Sequence, residues 1–390
     1  MIKLIKSSFM HEQTTKDRLC EFIQWAEQLS IWHYCRKFEE MFAIWQWRKY
    51  CVFYNSGSSA NLALIQSMIN MGKLKRDDKV AFSSLTWATN PMPLIQLWLH
   101  PVPVDVELAT LNVSLETFKK VAETNDIKAL FITNLLGRCD DTLADIYQYC
   151  ESRNIILLED NCESMGTVFQ WKKLWNYSLG STFSTYVWHH MSTIEWGMVC
   201  TDDIDLYDML IMTRAHGWDR NMNPDRQQLI RTKNGIDGFY SKYTFYTLGY
   251  NLRPNEITGF LWCEQLQYLD WTIQIRQTNA QSFVAAVNGN PDFYPLQIDH
   301  IDLFSNFALP VICRSSDILR SYIERFEKAG VEIRPIVGGD MTQQLFWKDL
   351  YGESAKDTNA NLIHQRGFYF GNSPEYTEEE IQILLTLIKK

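Results

Sequence analysis

The sequence lacks several features that would assign it to common protein classes. It has no apolar run long enough to span a membrane, and its start, MIKLIKSSF, becomes polar too soon for a signal peptide. Its nine cysteines are scattered without a CxxC pair, which argues against a disulfide framework or a zinc site. Lys and Arg number 37 against 46 Asp and Glu, a net charge of −9, which argues against a general nucleic-acid-binding surface but leaves room for a local basic pocket for phosphates. We expect a cytoplasmic protein with no membrane or nucleic-acid partner and no metal.

One local absence is more informative. The stretch FSTYVWHHMSTIEWGMVC, residues 183–200, contains no lysine. Its pattern predicts a strand over residues 183–187, then a loop that carries His189, His190 and Glu195, and then a second apolar run.

What is present indicates an α/β fold. Up to residue 160, short apolar runs alternate with helical patterns, which predicts βαβ units, a mostly parallel sheet and a ligand site at the carboxyl ends of the strands. The predicted strands are residues 50–56, 79–85, 102–107, 127–137 and 155–160.

Beyond residue 250 the pattern changes to a long helix from residue 256 and then a smaller α+β unit. We therefore divide the chain into residues 1–250, an N-terminal segment with a large cofactor-binding domain, and residues 251–390, a small C-terminal domain. The stretch 221–238, rich in Gly, Asp and Asn, is predicted to be a long, mobile, functional loop.

Polar clusters follow the predicted strands. In NSGSSANL, residues 55–62, Gly57 and Ser58 open a helix whose N-terminal N–H groups suit a phosphate, although an ordinary N-capped helix has the same pattern. Trp87 is placed either to stack on a flat heteroaromatic ligand or to pack.

In LLEDNCES, Asp160 and Glu163 follow a fully apolar strand. A carboxylate there needs a cation or strong donors, and a pyridinium nitrogen would serve, but Asp160 could instead cap the next turn. Arg220, Arg253 and Arg334 lie beside turn residues and suit carboxylates or phosphates, although isolated arginines are usually solvated.

In order, these motifs resemble the sugar-aminotransferase (DegT/DnrJ/EryC1/StrS) family of pyridoxal phosphate enzymes, with the aspartate-aminotransferase-like fold (fold type I). Within it the resemblance is nearest to the GDP-4-keto-6-deoxymannose 3-dehydratases. The motifs span about residues 52–340 and are SGSSANL, TWATNPMPL, NLLG, ILLEDNCESMGT, STFSTYVWHH, RAHGWDRN, GYNLRPNEITG with EQL, and EIRPIVGG.

In most members a lysine that binds the cofactor covalently stands six residues before the glutamate that corresponds to Glu195. His189 stands there in this sequence, as a histidine does in the 3-dehydratases. The resemblance implies that His189 is catalytic and His190 structural. Without the surrounding motif, a satisfied histidine pair at a strand end would be the better interpretation.

The resemblance further implies a nucleotide-sugar lyase with an aminotransferase half-reaction, serving dideoxysugar and lipopolysaccharide O-antigen biosynthesis. L-Glutamate would regenerate pyridoxamine 5′-phosphate from pyridoxal 5′-phosphate, and the amine form would remove the C3 hydroxyl of a nucleotide-linked 4-keto-6-deoxyhexose. The implied cofactor-binding residues are Gly57, Ser58, Trp87, Asp160, Glu163, Ser184 and, from the neighbouring subunit of a homodimer, Asn251. The implied substrate-binding residues are His216, Arg220, Arg253, Glu332 and Arg334.

The sequence departs from the family at Trp196, where relatives usually have glycine, and at the bulky Trp188.

Three alternative functions remain. A glutamate-dependent nucleotide-sugar aminotransferase would need a cofactor lysine, and Lys172 and Lys173 precede the strand. A CDP-sugar dehydratase with an iron–sulfur cluster would need clustered cysteines, whereas those beyond residue 162 lie far apart. A non-catalytic cofactor-binding homologue is the third.

Overall fold

The computed structural model describes residues 1–174, 176–187 and 189–389. Its helices are α1 Glu12–Trp25, α2 His33–Gln46, α3 Gly57–Asn70, α4 Pro91–Gln96, α5 Leu115–Ala122, α6 Leu143–Ser152, α7 Ile204–Arg214, α8 Pro224–Asn234, α9 Glu256–Asn288, α10 Ser316–Lys328, α11 Leu345–Tyr351, α12 Asn359–Arg366 and α13 Glu378–Ile388. Its strands are β1 Tyr50–Tyr54, β2 Lys79–Ser83, β3 His100–Val104, β4 Ile127–Thr133, β5 Ile156–Asp160, β6 Val168–Phe169, β7 Lys172–Lys173, β8 Gly180–Ser184, β9 Gly197–Thr201, β10 Ile301–Leu303, β11 Ala308–Ile312, β12 Ile333–Pro335 and β13 Gly367–Gly371.

A seven-stranded sheet forms the centre of the large unit, in the order β1-β9-β8-β5-β4-β2-β3. The adjacent pairs β8–β5, β5–β4, β4–β2 and β2–β3 are parallel. Strand β9 runs antiparallel to both of its neighbours, β1 and β8. The predicted α/β class with a mostly parallel sheet is confirmed. The carboxyl ends of the parallel strands meet at one edge, where the polar clusters of the sequence follow them.

Apolar side chains on both faces explain why this sheet is buried. Along β4, Leu130 and Ile132 join one core cluster and Ala129 and Phe131 join another, because successive side chains point to opposite faces. Helices α2, α5, α6 and α9 cover the first face, and α3 and α7 cover the second. The sheet is therefore a rigid base for the side chains that follow its strands.

A smaller unit follows α9, which runs for 33 residues. Strands β11, β13 and β12 form an antiparallel sheet, and α10 and α13 pack against it around a third apolar cluster. A division at residues 250 and 251 places this sheet entirely in the second part, and the boundary itself stays a prediction. In the described part of the chain, every helix is too short or too polar to cross a bilayer.

The prediction of a long loop over residues 221–238 is wrong for most of that stretch, because α8 occupies Pro224–Asn234. The side chain of Asn223 caps the helix by accepting from the N–H of Asp225, Pro224 is its first residue, and Gly235 ends it with a left-handed φ of 65°. Residues that suggested a loop are the start and stop signals of a helix.

Candidate active site

A cavity of about 780 Å³ lies at the carboxyl edge of the large sheet. Three kinds of chain segment line it: residues that follow the strands, the loop between β8 and β9, and residues of the small unit. The sequence-predicted residues that it brings together are Gly57, Ser58, Trp87, Asp160, Glu163, Ser184, His189 and Arg334.

The N-terminus of α3 forms one end of this cavity. Ser56 is the N-cap residue and accepts from the N–H of Ser59 at 3.0 Å, while Gly57 and Ser58, whose N–H groups precede the first helical hydrogen bond, line the cavity. A Cβ at Gly57 would lie 2.7 Å from the Cβ of Ser184, so no larger residue fits there. The helix end and the nearby hydroxyls of Ser58 and Ser184 make an anion site that fits the phosphate of the cofactor implied by the resemblance.

Asp160 ends β5 and is 4% exposed. Its Oδ2 accepts from Nδ2 of Asn61 and from Nδ2 of Asn90, both at 2.9 Å, and its Oδ1 accepts from the N–H of Cys162 at 3.0 Å. The last bond is the turn-capping role considered from the sequence, so Asp160 both caps a turn and lines the cavity. These donors orient a carboxylate that can face a pyridinium nitrogen.

Glu163 and Trp87 flank the same cavity. Glu163 is 6% exposed and accepts from the N–H of Leu136 at 3.0 Å, and burial raises its pKa to about 8. Trp87 follows β2 and exposes 54% of its surface, so its indole face is available for a flat ring.

His189 lies on the loop between β8 and β9 and lines the cavity. Its Nδ1 is 3.3 Å from the carbonyl oxygen of Ser184. Since a carbonyl only accepts, Nδ1 carries the hydrogen and Nε2 keeps its lone pair. Burial lowers the pKa of His189 to about 4, and the bond to Ser184 opposes that shift in part. The ring is therefore neutral near pH 7 and has one basic nitrogen.

The other predicted residues lie outside the lining of this cavity. Asn251 pairs with Ala215, and its Oδ1 accepts from Nε of Arg253 at 2.9 Å. His216 lies beside this pair, and Arg220 stacks on Trp218 at 3.9 Å. For Asn251, His216, Arg220 and Arg253, a place in an active site requires a second subunit and stays a prediction.

Glu332 also lies behind the lining. Its Oε2 accepts from the N–H of Leu4 at 3.1 Å and its Oε1 from Nη2 of Arg334 at 2.5 Å. In the single chain Glu332 thus orients Arg334, and a direct contact with substrate stays a prediction.

Comparison with known proteins decides the family. The profile of the DegT/DnrJ/EryC1/StrS aminotransferase family matches residues 12–389. The chain belongs to this family. It is 36% identical over 361 residues to the GDP-4-keto-6-deoxy-D-mannose 3-dehydratase of Yersinia pseudotuberculosis, which covers 91% of this chain and 90% of that protein.

Solved structures agree with this assignment. A crystal structure of GDP-4-keto-6-deoxymannose-3-dehydratase with a trapped PLP-glutamate geminal diamine matches with a TM-score of 0.90 and 30% identity over 100% of both chains. A histidine-to-asparagine mutant of that enzyme, with bound GDP-perosamine, matches with the same score, identity and coverage.

The cavity differs from that of a lysine-dependent family member. None of its described lining residues is a lysine. Lys173 is turned away and lies over the ring of Trp45 at 3.5 Å. The described cysteines and other ligand-type side chains form no group that could hold a metal ion.

Trp196, the departure from the family pattern, lines the cavity and also packs on Phe53 with ring centroids 5.5 Å apart. Its Nε1 is a buried donor with no partner among the described residues. The indole therefore narrows the cavity near the start of α3. Trp188, the second bulky neighbour, lies outside the described residues.

Sequence reasoning missed part of the site. Asn61 and Asn90, the amide donors to Asp160, lie in the SGSSANL and TWATNPMPL motifs, and a buried carboxylate that needs donors could have pointed to them. On the wall from the small unit, only Arg334 in the EIRPIVGG motif had been predicted. The missed lining residues include Cys162, Tyr186, Glu195, Phe307, Gln344, His364 and Tyr369.

Proposed function

We propose that the protein is a pyridoxal/pyridoxamine 5′-phosphate-dependent 3-dehydratase of a nucleotide-linked 4-keto-6-deoxyhexose. Overall, the sugar loses its C3 oxygen, and L-glutamate supplies the electrons and becomes 2-oxoglutarate with release of ammonia. The 3-dehydratases of Yersinia pseudotuberculosis and Escherichia coli, 36% and 34% identical to this chain, act on GDP-4-keto-6-deoxymannose by their names, whereas a relative at 26% identity is named for a dTDP-linked sugar. GDP-4-keto-6-deoxymannose is the substrate that we propose.

One observation carries the proposal. His189 lines a cofactor-sized cavity whose described lining contains no lysine, and its hydrogen bond from Nδ1 to Ser184 leaves Nε2 unprotonated. An imidazole cannot tether the aldehyde of pyridoxal phosphate as a lysine amine does, so the cofactor is free to carry an amine. A nucleotide-sugar aminotransferase, the main alternative, is disfavoured for the same reason.

The residues present fit the cofactor. Gly57, Ser58 and Ser184 would hold the phosphate at the start of α3, and Trp87 would cover one face of the ring. The ring, once bound, supplies an electron sink, and Asp160 would keep its nitrogen protonated. Glu163 would lie at the edge of the ring, where its raised pKa allows it to donate a hydrogen bond.

His189 would move the protons. With Nδ1–H fixed on the carbonyl of Ser184, Nε2 can accept a proton from carbon and then return it to the departing C3 hydroxyl as a general acid. The same nitrogen would serve the glutamate half-reaction. Exclusion of bulk water by the half-buried loop favours both transfers.

Substrate binding would involve both domains and a second subunit. Arg334, oriented by Glu332, is a bidentate donor at the small-unit wall of the cavity and suits the carboxylate of glutamate or a phosphate of the nucleotide sugar. Asn251 would reach the phosphate of the partner's cofactor in a homodimer, and His216, Arg220 and Arg253 would contact glutamate or sugar. We also propose a cytoplasmic location, since the nine cysteines are free of disulfide bonds.

The test is an assay of the purified protein with pyridoxal phosphate, L-glutamate and either GDP- or CDP-linked 4-keto-6-deoxyhexose. We expect 2-oxoglutarate and ammonia in equal amounts, together with a 3-deoxy sugar, for the GDP-linked compound. Formation of an amino sugar without ammonia would instead make the protein an aminotransferase. Cofactor binding with no 2-oxoglutarate would make it a non-catalytic homologue.

A further inference from the structure

The second histidine of the pair, His190, has no part in the proposed chemistry, yet it is only 3% exposed. Its Nε2 is 3.0 Å from the carbonyl oxygen of Ser305, so Nε2 carries the hydrogen. Its Nδ1 is buried and has no hydrogen-bond partner among the described residues. Burial, aided by the charge of Arg276, holds the pKa of His190 well below its ordinary value. The ring is therefore a neutral, fixed donor.

A buried arginine holds the backbone of the same residue. Arg276, in α9, is 7% exposed, and its Nη1 donates to the carbonyl oxygen of His190 at 2.6 Å. Its Nε donates to the carbonyl oxygen of Asn372 at 3.2 Å, and Nδ2 of Asn372 donates to the carbonyl oxygen of Arg276 at 2.9 Å. Burial lowers the pKa of Arg276 to about 10, so it remains a cation near pH 7. A charge-assisted bond thus joins the β8–β9 loop to α9 and to the end of β13.

Phe307 packs against both imidazoles. Its ring centroid lies 5.3 Å from that of His189 and 5.7 Å from that of His190. Ser305 and Phe307 belong to the same short segment before β11, so this segment holds the ring of His190 and supports that of His189. The β8–β9 loop is therefore held at two points: the ring of His190 bonds to Ser305, and the carbonyl oxygen of His190 bonds to Arg276.

A second, smaller cavity lies beside the two histidines. It has about 50 Å³ of space and is lined by His189, His190, Arg276 and Phe307, among others. His189 also lines the large cavity, so its ring stands between the two. Its own hydrogen bond is the 3.3 Å contact to Ser184, and the small cavity leaves it room to withdraw from the cofactor side.

We propose that Arg276 and His190 are positioning residues that keep Nε2 of His189 in the cofactor cavity: Arg276 holds the carbonyl of His190, and the ring of His190 holds Ser305. The proposal rests on the proposed function, because it assigns the transfer of protons to His189. It predicts that the rate of proton transfer depends on two side chains that touch neither substrate nor cofactor. A displacement of about 1 Å is enough to slow such a step strongly.

The kinetic test compares Arg276→Gln with the conservative Arg276→Lys. Gln274→Ala, at an exposed position on the same helix, is the control. We expect Arg276→Gln to lower kcat about 10- to 100-fold, with KM for L-glutamate and the affinity for pyridoxal phosphate within about threefold of the wild type. Arg276→Lys, which keeps a cation that can reach the carbonyl, should recover most of the rate. A parallel loss of kcat, cofactor affinity and melting temperature would overturn the proposal in favour of a general structural role.

The second readout needs neither substrate nor cofactor. The ring signals of the histidines are followed by NMR against pH in the cofactor-free protein, and the signal of His189 is identified by its absence in His189→Asn. In Arg276→Gln, we expect the pKa of His189 to shift away from about 4, because the ring leaves the surroundings that set this value, whereas Gln274→Ala should leave the titration of His189 unchanged. An unchanged titration of His189 would overturn the positioning role.

The two readouts separate the two claims. If the wild type turns over no nucleotide sugar but the titration of His189 shifts in Arg276→Gln, the proposed function fails and the positioning role stands. If Arg276→Gln does not fold, His190→Phe, which removes the hydrogen bond from the ring to the carbonyl oxygen of Ser305, gives the same titration test. No shift in that variant would overturn the proposal.

Discussion

Asp160 and His189 face the same cavity but are held in different ways. Asp160 ends a strand of the buried sheet and accepts three hydrogen bonds from Asn61, Asn90 and Cys162. His189 lies on a loop, its ring has one long hydrogen bond to a carbonyl, and a cavity lies behind it. We therefore propose that the sheet edge holds the cofactor and that the loop between β8 and β9 determines which reaction follows.

The largest effect is expected at the loop. His189→Asn keeps the size and one donor of the side chain but removes the base, so kcat for dehydration should fall about 100- to 10,000-fold. Cofactor affinity, measured by fluorescence titration, should change little, because Asp160 and the start of α3 are intact. His33→Asn, on the exposed face of α2, serves as the control. Full activity of His189→Asn would remove the histidine from its role.

At the sheet edge, Asp160→Asn should affect the cofactor itself. Loss of the carboxylate removes the partner of the ring nitrogen, and we expect kcat to fall about 100- to 1000-fold together with weaker cofactor binding. Asp77→Asn, at a side chain that is 86% exposed, should change neither quantity. Unchanged cofactor affinity and kcat in Asp160→Asn would contradict the proposal that the sheet edge holds the cofactor.

The protonation of Glu163 can be tested by measuring the free energy of unfolding of the cofactor-free protein at different pH values. Its pKa is about 8 in the folded state against 4.5 for an exposed carboxyl, so between these values the folded protein holds a proton that the unfolded chain has lost. The free energy of unfolding should therefore fall as pH rises from 5 to 8. Glu163→Gln has no such proton, so we expect the variant to gain about 3 kcal/mol relative to the wild type between pH 5 and pH 8 in urea denaturation.

The control is Glu123→Gln, at an exposed position, for which the difference from the wild type should be the same at both values of pH. A difference for Glu163→Gln that did not change with pH would mean that its carboxyl is ionised in the folded protein.

The smallest effect is expected at Trp196. Trp196→Gly restores the residue usual in the family and widens the cavity, so KM for the nucleotide sugar should change by roughly tenfold or less, or about 1.4 kcal/mol. Trp171→Gly removes an indole that is 84% exposed and should leave KM unchanged. An equal KM for Trp196→Gly and the wild type would place the indole outside the path of the substrate.

The site residues at the sheet edge could be predicted from the sequence because each lies in a short motif directly after a strand. Apolar runs followed by Gly57 or Asp160 predict strands that end at a ligand site, and the sheet confirms their common edge. Apart from Arg334, the small-unit wall could not be predicted, since Gln344, His364 and Tyr369 come from separate elements and meet only when the two units pack together. Helix α8 was missed because its caps have the composition of a loop.

The positioning role proposed for His190 could not be predicted from the sequence either. Its fixation depends on Arg276, 86 positions away in the chain, and on a backbone carbonyl that has no signature in the sequence.

The most direct measurement is the state of the coenzyme on the protein. The protein is reconstituted with pyridoxal phosphate, reduced with borohydride, denatured and analysed by mass spectrometry, with a lysine-dependent family member treated in parallel. The account predicts unmodified protein and free, reduced coenzyme. A phosphopyridoxyl group on any lysine of this chain would contradict it.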